Sequence, residues 1–196
     1  MAILIAGLLL FLGVHSVRIF ADGWRDAQIA RVGLNSWKGL YSLLSVAGFA
    51  LIVWGYGMSR TASAELWGPP TWLRYPASLL LLLAFILLVA VYIPRNRIKT
   101  VVGHPMMAGV KVWAFAHLLT NARLGDVVLF GAFLAWAVLG FRAARRRDRA
   151  SGTSAEAGTW ANTAIVLVIG VAAWMVFARY LHPWLIGVAV VGADPF

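Results

Sequence analysis

The chain has no cysteine, and that absence removes three chemistries at once: a disulfide framework, a thiolate metal site and a thiol nucleophile. It also removes covalent haem attachment, which needs Cys-x-x-Cys-His. Carboxylates are scarce as well, with seven Asp and Glu in 196 residues, and charged residues of both signs make up only 12%. So little charge excludes an ordinary soluble globular domain. Any metal chemistry must come from His, of which there are four.

Long apolar runs are what the chain does have. The sequence is 62% hydrophobic with a mean hydropathy of +0.82, and the apolar segments fall at about 1–20, 39–58, 76–93, 106–120, 124–141 and 160–180. Most approach the ~20 residues that cross a bilayer. The expected fold is therefore an all-α, polytopic membrane helix bundle of about six spans, over a single domain of residues 1–196. The fourth span is short and reads alternatively as re-entrant. The first has no basic leader and no small-residue cleavage site, so it reads as a retained helix rather than a signal peptide. The stretch "RAARRRDRASGTSAEAGT" at 142–159 reads as a basic, flexible cytoplasmic loop.

The net charge of +10 raises the question of nucleic acid, but Arg and Lys lie in short loops between apolar runs, where topology accounts for them. Loops one, three and five with their helix ends hold Arg18, Arg25, Arg31, Lys38, Arg95, Arg97, Lys99, Arg142, Arg145, Arg146, Arg147 and Arg149; the opposite side holds Arg60, Arg74, Arg123 and Arg179. The richer side is cytoplasmic by the positive-inside rule, which puts both termini outside if the fourth span crosses. No nucleic-acid partner is expected; the lipid bilayer is.

Two histidines, His15 in "GLLLFLGVHSVRIF" and His117 in "VWAFAHLLT", lie inside apolar runs. Ionisable groups at such depth face the bundle interior, where they bind or coordinate. With Arg18 and Lys111 both reaching the cytoplasmic interface, His15 lies ~4.5 Å deep and His117 ~9 Å. The two levels suit ligands of one metal. If the fourth span enters the bilayer at Met106, His104 is the closer match to His15, so depth alone leaves the second ligand open. His182, beside Trp184, reads as interfacial.

A structural zinc wants four ligands and a catalytic one usually three, more than this chain offers inside its spans. Haem iron needs only axial ligands. The Trp and Phe residues supply apolar walls, with Trp113 and Phe115 as pocket candidates and Trp24, Trp37, Trp67 and Trp72 as an interfacial belt. Arg18 and Lys111 suit the two propionates. The cofactor expected is non-covalent haem b, with His15, His117, Arg18, Lys111, His104 and Trp113 as candidate contacts. No residue stands out as catalytic.

The segments "LFLGVHSVRI", "WKGLYSLLSVAGFALIVWGY" and "GHPMMAGVKVWAFAHLLTNARLGDVVLFGAFLAWAVLG" resemble the NnrU family of membrane proteins linked to bacterial denitrification, and beyond it the 15-cis-zeta-carotene isomerases. The resemblance covers most of residues 7–141. It implies haem b held by the first-helix His and by the His thirteen residues after the "HP" pair, which are His15 and His117 here. Where the isomerases have a Cys three residues before that second His, this chain has Ala114. The implied function is that of a redox or gas-responsive factor in nitrite and nitric oxide metabolism, in a bacterial inner membrane; the alternative is a haem-dependent cis-trans isomerase of a carotenoid-like polyene. A scaffold with structural His residues and no cofactor is a third reading.

"HPMMAG" also resembles the "RHPxYxG" motif of membrane methyltransferases that use S-adenosylmethionine. Gly103 stands in place of that motif's Arg, and Glu65 and Glu156 do not form the C-terminal pair those enzymes carry. This reading ranks behind haem.

Overall fold

The computed structural model describes residues 1–152, 156–188 and 190. Its helices are α1 (Ala2–Phe20), α2 (Asp22–Val32), α3 (Leu34–Ala62), α4 (Arg74–Tyr92), α5 (Arg97–Val102), α6 (Pro105–Thr120), α7 (Leu124–Ser151), α8 (Trp160–Val176) and α9 (His182–Ile186). Among the described residues no strand forms beyond two isolated bridges, Glu65 with Arg123 and Asn96 with Thr159. Among the described residues five segments, Ala2–Phe20, Leu34–Ala62, Thr71–Tyr92, Leu124–Ser151 and Trp160–Ile186, are long and apolar enough to cross a bilayer. The chain is a multi-pass membrane protein. At 16 residues, α6 is about 24 Å long, short of a ~30 Å hydrocarbon layer.

Two stretches read from sequence as connecting segments are helical. Residues 22–32 form α2, with Asp22 in its first turn and Arg31 in its last, the arrangement that complements the helix dipole. Further along, α7 runs through the basic stretch to Ser151, so residues 142–151 are helix and not loop. Alanine and arginine are strong helix formers, and three Ala and five Arg fall there. The remainder of the expected loop includes residues 153–155, which lie outside those described.

The chain divides into two compact units. In the first, Met1–Gly68 with Asn121–Ala143, α1 and α3 pack antiparallel through glycines. A Cβ on Gly7 would lie 2.6 Å from the Ile52 backbone nitrogen and one on Gly48 2.8 Å from that of Phe11; Gly55 abuts Leu4. Small residues are what let membrane helices approach this closely. The end of α3 is tied to the start of α7: Leu66 N–H donates to Ala122 O at 2.8 Å and Leu124 N–H to Ala64 O at 2.9 Å. There Asp126, 6% exposed, accepts from Tyr56 Oη at 2.8 Å and from Arg123 N–H at 3.0 Å. Those donors satisfy a carboxylate that is costly to bury alone.

In the second unit, Pro69–Thr120 with residues from Ala144 on, α4 packs against α6 and α8. Gly109 lies against the Ala84 carbonyl and Leu88, and Gly170 against Ile86. The α4–α5 turn is built around Asn96, which is fully buried. Its Nδ2 donates to Ala90 O and Ile93 O at 2.9 and 2.6 Å, and its Oδ1 caps α5 by accepting from Lys99 N–H at 2.8 Å. Beyond α8 the helix widens into a π turn over Phe177–Leu181. Pro183 follows in α9 and has no N–H to give to the preceding turn.

Candidate functional site

His15 sits near the end of α1, half-buried. Its Nδ1 lies 2.7 Å from the carbonyl oxygen of Phe11, one turn earlier. A carbonyl only accepts, so Nδ1 carries a proton and in the neutral ring the lone pair is on Nε2. Three aromatic rings fix the imidazole plane: Phe11 stacks on it at 4.2 Å, Tyr41 from α3 lies at 5.2 Å and Trp136 from α7 meets it edge-on at 6.1 Å. Arg18 follows one turn later. It is 64% exposed, with Nε 4.0 Å from Asp22 Oδ1.

His117, in the second unit, repeats the arrangement. Its Nδ1 lies 2.9 Å from the carbonyl of Trp113, again one turn earlier, and the Trp113 ring is 5.1 Å away. The same tautomer follows, with the lone pair on Nε2. Trp113 and His117 lie ~40° apart around the helix, whereas Lys111 and His117 are ~120° apart. Trp113 therefore shares the His117 face, and Lys111 does not.

His104 differs. Its Nε2 is 2.7 Å from Asp148 Oδ2 on α7, with Arg145 Nη1 close over the neighbouring Gly103. That nitrogen is engaged by a carboxylate, a contact that fastens the α5–α6 turn to α7. His182 Nδ1–H donates to Val188 O at 2.7 Å, six residues ahead and beyond its own helix. Among the described residues no group of three or more His, Asp or Glu is placed to hold a metal ion.

Sequence reasoning missed Phe11, Tyr41 and Trp136 as the walls around His15. Phe11 was within reach of an i, i+4 argument; the other two arrive from helices whose rotation no local pattern specifies. Asp148 did carry a signal, as the one acid amid five arginines over 142–149.

A family model described as NnrU protein matches residues 3–190. The chain belongs to the NnrU family. No curated protein and no solved structure matches it.

Proposed function

We propose that this NnrU protein binds one b-type haem with His15 and His117 as axial ligands, and serves nitrite and nitric oxide metabolism as a redox or gas-responsive membrane factor. The observation that carries the reading is the shared tautomer. Both imidazoles give Nδ1–H to the carbonyl four residues back, which leaves Nε2 as the coordinating nitrogen, the arrangement metal-binding histidines use. His104 is the weaker candidate because its Nε2 contacts Asp148.

Two histidines suffice for haem, since the porphyrin supplies the other four nitrogens. Arg18 is the proposed partner of one propionate, for which its guanidinium is chemically suited; Lys111, the proposed partner of the other, lies ~120° around α6 from His117 and reaches it only along its flexible stem. Trp113 lines the side of His117. When bound, haem supplies a one-electron couple and an iron that takes small diatomic ligands. The reading places the protein in a bacterial inner membrane; with α6 crossing, both termini are periplasmic.

Isomerisation of a polyene is the rival use of the same cofactor. Fully buried Ala114 offers no thiolate to exchange with an axial imidazole, which favours the redox or gas-responsive role. The deciding experiment adds nitric oxide to the reduced protein and, separately, a cis polyene under reducing conditions. A shifted Soret band with nitric oxide and an unchanged polyene is expected. A spectrum indifferent to nitric oxide together with polyene turnover overturns the proposal in favour of the isomerase.

A further inference from the structure

Within the first unit an open groove of about 370 Å³ runs between α1 and α7. The two helices are parallel there, since Phe11 meets Phe133 and His15 meets Trp136. Ile5, Leu9 and Gly13 form one wall, and Val128, Ala132 and Leu139 the other. From Ile5 to Ser16 is eleven residues, or about 16 Å of helix. The groove is apolar for most of that length.

Its character changes at one end. Ser16 contributes the one hydroxyl among the lining residues, level with Trp136 and Leu139. Trp136 Nε1–H is buried without a hydrogen-bond partner, a costly condition for a donor in an apolar setting. One turn beyond Leu139 on the same helix stands exposed Arg142. Hydroxyl, indole N–H and guanidinium thus succeed each other towards the membrane surface.

We propose that this groove binds one acyl chain of an anionic phospholipid. The chain lies between α1 and α7, the ester carbonyl accepts from Ser16 and, after a small turn of its ring, from Trp136, and the phosphate pairs with Arg142. Arg142 selects this occupant over a neutral lipophile. A guanidinium matches phosphate oxygens bidentately, and cationic residues at the cytoplasmic end of a span attract anionic lipid. The inference is independent of haem.

Native mass spectrometry of the detergent-purified full chain tests it, with phosphatidylglycerol, phosphatidylcholine of the same acyl chains, and a decyl-tailed quinone as a neutral probe. Wild type retains phosphatidylglycerol at least tenfold more tightly than the other two. Gly13→Leu fills the groove, and because a Cβ there meets nothing within 4 Å the helix pair tolerates it; retention of phosphatidylglycerol falls at least tenfold. Arg142→Gln, on an exposed position, abolishes the preference over phosphatidylcholine and decides the matter even if Gly13→Leu melts early. Equal retention of the two phospholipids by wild type, a preference that survives Arg142→Gln, or tighter binding of the quinone overturns the proposal.

Discussion

The imidazole of His15 is held by a single residue in two ways: Phe11 accepts its Nδ1–H through the backbone carbonyl at 2.7 Å and stacks its own ring on it at 4.2 Å. The hydrogen bond sets the tautomer and the stack sets the plane. Replacing Phe11 by Ala removes the stack, together with the ring contacts to Phe49 and Phe133, but keeps the carbonyl, so the imidazole gains freedom while Nδ1–H keeps its acceptor. The expected outcome is haem that still binds but with a broadened, heterogeneous low-spin signal in electron paramagnetic resonance. A signal as narrow as wild type's contradicts a positioning role for that ring.

His104→Gln separates the two candidate second ligands. It breaks the contact with Asp148, both partners of which are about a third exposed, and lowers stability by no more than about 1 kcal/mol. Haem content is expected to stay at the wild-type level. Loss of haem in this variant, with His117→Gln retaining it, reverses the assignment.

Tyr56→Phe leaves buried Asp126 with its backbone donor from Arg123 but without the phenol. The cost expected is about 1–3 kcal/mol, read as a lowered unfolding midpoint in detergent, with the visible spectrum unchanged. A midpoint equal to wild type's shows that the pair does not hold the α3–α7 junction.

Gly55→Leu forces a side chain into the Leu4 backbone and is expected to destabilise by about 3 kcal/mol or more. Gly13→Ala, with open space at that position, is expected to be neutral or to stabilise by up to about 1 kcal/mol through helix propensity. Equal melting of the two variants contradicts the close α1–α3 packing.

The spans were legible because hydropathy and helix length are local. The apolar run at 106–120 became Pro105–Thr120, and the break after Thr120 fell where Asn121 interrupts it. Helix α2 escaped notice because its eleven residues, DGWRDAQIARV, carry no run of apolar residues. The extension of α7 escaped because charge density was read as solvation, although Ala and Arg favour helix. His15 and His117 stood out by depth. Their common brace did not, since the tautomer depends on a rotamer that spacing leaves open, and Tyr41 and Trp136 reach His15 only through tertiary packing.

The central claim is ligation by His15 and His117, and its most direct measurement is the haem-to-protein ratio with the oxidised and reduced absorption spectra of wild type, His15→Ala and His117→Ala, each purified from membranes in equal yield. The account predicts about one haem per chain with a six-coordinate low-spin spectrum in wild type, and in each variant a loss of haem or a shift of the Soret band. Wild-type ratios and spectra in both variants, or a colourless wild-type protein after expression with ample haem, contradict it.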